Sequence, residues 1–233
     1  MQEGVFVWAP RRFPIDLLGG SRRLRDHART HRRTGHPMTQ DRDALRRELR
    51  DRRRALPAAA RIAAAEALAA RILALPFLPG RGYIAGYWAL DGEIGLHVLQ
   101  MQLPAGLSWC LPVLHEDGTL RFAPWRAGDP LVSNRYGIPE PDVQPASALD
   151  AREMALAVMP LVGFDAAGQR LGMGGGWYDR SFAFRRDQAA PTWLVGAGFA
   201  VQEVPALDTA DWDVVPDAIC TERATLLRET TAA

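Results

Sequence analysis

Ala155-Leu156-Ala157-Val158-Met159-Pro160-Leu161-Val162 is an unbroken apolar run, with no polar side chain at alternate positions. A strand that is apolar on both faces needs a sheet covered on both sides, which points to a parallel or mixed sheet in an α/β protein. The run passes through Gly163-Phe164-Asp165 and a turn into Arg170-Leu171-Gly172-Met173-Gly174-Gly175-Gly176-Trp177-Tyr178-Asp179-Arg180. In open α/β sheets ligands bind beyond the carboxyl ends of the strands, where this loop falls. Its glycines permit positive φ and remove the Cβ atoms that block close approach. Successive N–H groups can then converge on one anion, most often phosphate. Residues 177–186 contain no Gly or Pro and predict a helix whose N-terminus adds partial positive charge there. Arg170 and Arg180 can clamp phosphate oxygens, and Asp179 can hold a bridging metal. No Lys-Ser/Thr follows the glycines, so this is not the P-loop pattern. On the glycines alone, a tight turn without a ligand is the competing reading.

On the amino-terminal side, Asp41 opens a helical pattern with Leu45, Leu49 and Leu56 near one face and Arg42, Arg46, Arg50 and Arg53 on another. The arginine stripe reads by itself as a solvated helix face. After Pro57 a second amphipathic helix carries Ile62, Ala65, Leu68, Ile72 and Leu75 and stops at Pro76. Residues 83–88 predict a buried strand leading to a loop with Asp91-Gly92-Glu93, and residues 94–102 a helix. Residues 107–113 and 119–125 predict a hairpin about His115-Glu116-Asp117-Gly118. Residues 193–199 and 214–221 predict two further strands, the last carrying Asp217. The expected fold is therefore a three-layer α/β/α sandwich, with a mostly parallel sheet and a small antiparallel element at residues 107–125.

The chain has 233 residues and 48% hydrophobic composition, enough for one sizeable core. No apolar run reaches membrane-spanning length, and residues 1–37 have no secretory apolar segment. A soluble, cytoplasmic protein is expected. Cys110 and Cys220 lie in apolar, strand-like surroundings and read as buried reduced thiols. All 28 basic residues are arginine, so any site needing a cation must use a forked, permanently charged group. Residues 1–37 carry a net charge of +5 against +1 for the whole chain. They read as a disordered Arg-rich extension, ahead of one domain at residues 38–233. The acidic body does not look like a nucleic-acid binder, which leaves residues 1–37 as the segment that could engage RNA.

Several separated motifs, in order, are similar to those of the 5-formyltetrahydrofolate cyclo-ligase (methenyltetrahydrofolate synthetase) family. They are Arg42-Asp43-Ala44-Leu45-Arg46, Gly86-Tyr87-Trp88 with Glu93-Ile94, and Tyr136-Gly137-Ile138-Pro139-Glu140-Pro141. Pro160-Leu161-Val162-Gly163-Phe164-Asp165 with the glycine loop, and Asp213 to Asp217 with Thr221-Glu222, complete the set. The resemblance covers about residues 42–222. It implies an ATP- and magnesium-dependent closure of 5-formyltetrahydrofolate to 5,10-methenyltetrahydrofolate, with ADP and phosphate released. It implies ATP phosphates held by Arg42, Arg46, Arg170, Leu171, Gly172, Met173, Gly174, Gly175, Gly176, Trp177 and Tyr178, with Arg170 and Tyr178 in catalysis. Asp179 and Asp217 would hold magnesium, hard ligands for a hard cation. Trp88, Glu93, Tyr136 and Trp177 would surround the folate, Glu93 accepting from the amino-pyrimidinone edge. A monomer acting on small molecules is expected.

The sequence departs from the family pattern in places. Arg42 stands where the family has Lys, and Met173 and Gly175 where some relatives carry basic residues. Trp177 replaces a Tyr, and Trp212 replaces a His before Asp213. Two other readings stand beside the enzyme. One is a non-catalytic anion- or RNA-binding α/β module; the other is a sugar-phosphate isomerase of related architecture, which would need no ATP.

Overall fold

The computed structural model describes residues 6–7 and 41–228. The extension expected at residues 1–37 thus lies outside the described residues, apart from a two-residue strand, β1 (Phe6–Val7). Next come α1 (Arg42–Arg54), α2 (Ala58–Leu73), β2 (Gly82–Ala85) and α3 (His97–Gln102). The hairpin β3 (Leu107–Leu114) and β4 (Leu120–Pro124) follows, then β5 (Leu131–Ser133) and β6 (Pro139–Pro141). The chain continues through β7 (Met154–Pro160), β8 (Gly163–Asp165), β9 (Arg170–Leu171) and α4 (Trp177–Ser181). It closes with β10 (Trp193–Ala197), β11 (Glu203–Val204), β12 (Ala218–Cys220) and β13 (Thr225–Leu227).

The main sheet has the order β1-β13-β12-β10-β7-β2-β3-β4. Its interior pairings, β12 to β10, β10 to β7, β7 to β2 and β2 to β3, are parallel. The β3–β4 hairpin and the β12–β13 pair are antiparallel. Strand β7 is central, and its residues divide between two cores. Leu156 and Val158 pack with α2 and α3 on one face, while Ala157 and Met159 pack with Phe122 and Phe182 on the other. All four are fully buried, each larger side chain contributing roughly 1.5–3 kcal/mol. This double coverage is why the run has no polar face.

The structure adds two small sheets and shortens one helix. Residues 131–141 form a β5–β6 ribbon, turned where Gly137 takes φ 73°. Strands β8, β9 and β11 form a separate three-stranded sheet beyond the carboxyl end of β7. Helix α3 begins at His97 rather than at residue 94, so Glu93 and Ile94 belong to a loop.

Helix α1 sets up the site. Asp41 caps it, its Oδ1 accepting from the backbone N–H groups of Asp43 and Ala44 at 3.1 and 3.0 Å. Arginines 52–54 in its last turn complement the helix dipole. The helix lies across the carboxyl end of β7, where Leu49 packs with Val162, Leu171 and Val204. A Cβ on Gly163 would stand 2.5 Å from Leu49 Cδ1, so glycine there lets the helix dock. The inward face carries Arg46, Leu49 and Arg53, which helical spacing stacks together. The arginine stripe is therefore not a solvated face: Arg53 is 0% exposed. A stripe at helical spacing looks the same from the sequence whether it meets water or a ring of loop carbonyls.

Candidate active site at the glycine loop

Leu171 pairs with Val162 through a 2.9 Å hydrogen bond, which starts the glycine loop at the carboxyl edge of the central strand. Gly174 and Gly176 take φ 95° and 65°, and Gly176 is the left-handed residue that opens α4. Guanidinium groups crowd the loop. A Cβ on Gly174 would lie 3.3 Å from Arg46 Cζ, one on Gly172 3.3 Å from Arg170 Nη1, and one on Gly176 2.7 Å from Arg180 Nη1. Arg46 Nε donates to the Gly172 carbonyl at 2.9 Å, so α1 and the loop are tied directly. Arg180 donates to the carbonyls of Gly175 at 2.9 Å and Gly118 at 2.7 Å, fixing the loop to the β3–β4 turn. Met173 is 51% exposed at the loop tip.

Arg170 is nearly buried. It donates to the Val214 carbonyl at 2.9 Å and pairs with Asp179 Oδ1, which also accepts the Val214 N–H at 3.1 Å. Arg42 directs both Nη atoms at Asp213 Oδ2, each at 3.3 Å. Its Nε is buried without a hydrogen-bond partner. A buried, unpaired donor on a cation is costly, so an anion's oxygen reaching it would be favoured. Arg46 and Arg170 thus stand against the loop, while Arg42, one turn before Arg46 on α1, is paired with Asp213.

Asp217 is not brought to them. Its carboxylate forms a two-pronged pair with Arg185 Nη2 at 2.8 and 2.9 Å and accepts the Leu194 N–H at 2.8 Å. Leu194 is in register with Ala157, five residues before Val162. At about 3.3 Å per residue, Asp217 therefore sits roughly 16 Å along the sheet from the start of the loop. The expected Asp179–Asp217 metal pair is not assembled, because residues 214–217 cross the sheet face toward its amino edge. Asp213, before that crossing, stays beside Arg42 and adjoins the Val214 N–H that binds Asp179. Sequence reasoning had both aspartates in one motif, four residues apart, with nothing local to choose between them. Among the described residues no group of three or more His, Cys, Asp or Glu converges as a metal cluster. A magnesium ion arriving on phosphates needs fewer protein carboxylates than that. Asp179 Oδ1 accepts the Val214 N–H and pairs with Arg170, and Asp213 Oδ2 accepts from Arg42 and the Ala210 N–H.

The second candidate region lies in the β2–α3 connection. Glu93 Oε2 accepts the Leu90 N–H at 3.0 Å, and the side chain is 9% exposed. Burial pushes its carboxyl above the usual range, and the Leu90 N–H and Arg53 pull it back. Burial also pushes the Tyr178 and Tyr87 hydroxyls up, and the Glu93 charge adds to both. Tyr178, from α4, and Tyr87 therefore share their surroundings with Glu93. Tyr136, 58% exposed, meets Trp177 edge-on at 6.2 Å between ring centres. Arg135 lies 5.3 Å from both of these rings and Arg180 5.1 Å from Trp177. Trp88 meets Trp125 edge-on at 6.0 Å on a cleft of about 1040 Å³. That cleft is lined by residues on both sides of Glu93, among them Tyr87, Trp88, Gly95 and Leu96, and by Trp109 and Met101.

The sequence model of the 5-formyltetrahydrofolate cyclo-ligase family matches residues 38–222. The 5-formyltetrahydrofolate cyclo-ligase of Escherichia coli K12 is 35% identical over 176 residues, covering 74% of this chain and 96% of that protein. The Haemophilus influenzae enzyme of the same name is 34% identical over 179 residues, covering 76% and 95%. The fold is similar to that of Aquifex aeolicus 5,10-methenyltetrahydrofolate synthetase, with TM-score 0.69 and 23% identity over 82% of this chain and 95% of that one. A Mycoplasma pneumoniae 5,10-methenyltetrahydrofolate synthetase gives TM-score 0.59 at 21% identity, covering 78% and 99%. No helix among the described residues is long and apolar enough to cross a membrane. With the glycine loop, the α1 arginines and the Glu93 loop all inside the matched region, the chain belongs to the 5-formyltetrahydrofolate cyclo-ligase family.

Proposed function

We propose that this enzyme closes 5-formyltetrahydrofolate to 5,10-methenyltetrahydrofolate with consumption of ATP, releasing ADP and phosphate. The observation that carries the reading is the packing of Arg46 and Arg170 against the glycine loop, with Arg42 one turn away on α1 and the Glu93 charge felt by the Tyr178 hydroxyl that follows the loop. A formamide oxygen is a poor leaving group. Its attack on the γ-phosphorus of ATP breaks the bond to the β–γ bridging oxygen and leaves ADP. The formyl carbon then carries a phosphate ester next to N5 as an iminium. The N10 lone pair adds to that carbon, N10 gives up its proton to water, and the C–O bond breaks to release phosphate. The product carries its positive charge over N5, carbon and N10.

The residues do the positioning and charge stabilisation that such a transfer requires. The loop amides, Arg42 and Arg46 hold the triphosphate, and Arg170 meets the charge that builds up during transfer. Asp179 and Asp213 would hold magnesium, which neutralises phosphate oxygens when bound. Glu93 accepts from the pterin N–H groups. Tyr178, its hydroxyl kept protonated by its raised pKa, is a donor toward the reacting end. Trp88 and the adjoining cleft take the aryl portion of the folate, and Tyr136 with Trp177 borders the pterin.

The test uses the purified full chain, 5-formyltetrahydrofolate, ATP and magnesium, with the methenyl product followed by near-ultraviolet absorbance. Product that forms only when ATP is present supports the reading. Folded protein without turnover, or turnover independent of ATP, would overturn it.

A further inference from the structure

Arg53, in the last turn of α1, is among the largest fully buried side chains in the protein. Its Nε donates to the Asp91 carbonyl at 2.9 Å and its Nη2 to Asp91 Oδ2 at 3.1 Å. Its Nη1 donates to the Leu161 carbonyl at 3.4 Å and stands 3.8 Å from Glu93 Oε1. One guanidinium therefore joins three things: the end of α1, the carboxyl end of the central strand, and both acids of the 91–93 loop. Asp91 is the one non-glycine among the described residues with positive φ, at 50°, so the loop is held in a conformation it would not favour alone. A buried ion pair is a poor device for stability, since desolvation offsets most of the attraction. The placement is explained if the charge itself is used.

We propose that Arg53 is a positioning residue for Glu93, setting both where its carboxylate stands and that it is ionised when folate arrives. This rests on the reading of Glu93 as the pterin contact. The charged and titratable groups facing Glu93 are Arg53 from α1, Asp91 from its own loop, Tyr87 after β2, and Tyr178 from α4. Arg53 favours the carboxylate, and Asp91 and burial oppose it. If the pterin needs an anion, kcat/KM for folate falls as pH falls through the Glu93 titration. Removing Arg53 should move that acid limb to higher pH. Removing the Asp91 charge should move it to lower pH.

The experiment measures kcat/KM for 5-formyltetrahydrofolate against pH, with KM for ATP as internal control, for Arg53→Met, Arg53→Lys, Asp91→Asn and Glu93→Gln. Arg53→Met should raise KM for folate about tenfold, leave KM for ATP within about twofold, and shift the limb upward. Arg53→Lys should recover part of both, Asp91→Asn should shift the limb downward, and Glu93→Gln should abolish it. A merely structural brace would move neither limb. If Arg53→Met does not fold, the Asp91→Asn limb decides: no downward shift overturns the proposal. A Glu93-dependent limb that both variants leave unmoved, or an equal rise in both KM values, overturns this inference alone. Wild-type protein without turnover, or Glu93→Gln with wild-type KM for folate, overturns the underlying reading and this inference with it.

Discussion

Gly174→Ala separates an anion cradle from an ordinary turn. Gly174 holds φ 95°, outside the range an L-residue adopts comfortably, and its new Cβ would lie 3.3 Å from Arg46 Cζ. Arg46 cannot move aside freely. It is fixed by the Gly172 carbonyl at 2.9 Å and Asp43 Oδ1 at 2.6 Å. The backbone term costs about 1–2 kcal/mol, which for a domain of this size lowers Tm by roughly 2–8 °C. Displacing a charge-assisted contact to phosphate forfeits a further ~1.5–3 kcal/mol of ATP binding, or about 10- to 100-fold in KM for ATP. KM for folate should stay within about twofold, because Glu93 and Trp88 are on other segments. Steady-state kinetics in both substrates and a thermal melt read all three quantities. Loss of Tm with KM for ATP unchanged would refute the reasoning, since the loop would then be only a turn.

Further outcomes follow from the same geometry. Asp213→Asn should lower kcat/KM at least tenfold and raise the magnesium requirement, whereas Asp217→Asn should cost about 2–4 kcal/mol in a urea melt by orphaning Arg185, with kcat retained in the folded enzyme. Burial pushes Cys110 and Cys220 from the ordinary thiol value of 9.0 up to about 12, so both should resist a thiol reagent in native protein and react at once in urea. Their raised folded pKa values stabilise the thiol form, so stability from this source is complete below pH 9 and declines between about pH 9 and 12, measurable by urea melts across that window. Removing residues 1–37, which precede the family match at residue 38, should leave kcat/KM within about twofold; a larger loss would give that segment a role in the reaction.

Much of the architecture could be read from side-chain pattern. The two-faced apolar run of β7, the Pro57 break between α1 and α2, and the hairpin about residues 115–118 are set by neighbours in sequence. Local sterics, propensity and burial on each face suffice to define them. The glycine loop is equally local, because only residues without Cβ take φ 95° at Gly174 under a packed guanidinium. The residues on α1 were legible as a stripe, and Arg42 and Arg46 were assigned to phosphate by resemblance. That Arg53 turns inward was not legible, because an arginine is buried only where distant carbonyls and acids happen to receive it.

The amino-acid sequence by itself thus determined the layered α/β sheet, the glycine loop at the end of its central strand, and membership of the 5-formyltetrahydrofolate cyclo-ligase family. Tertiary structure alone decided which carboxylates join the loop. Asp213 and Asp217 are chemically identical and four residues apart, yet one stays with Arg42 and the other crosses to Arg185. Propensity and periodicity act over a turn or a strand. The meeting of a helix end, a strand end and a loop depends on how the whole chain closes around its two cores.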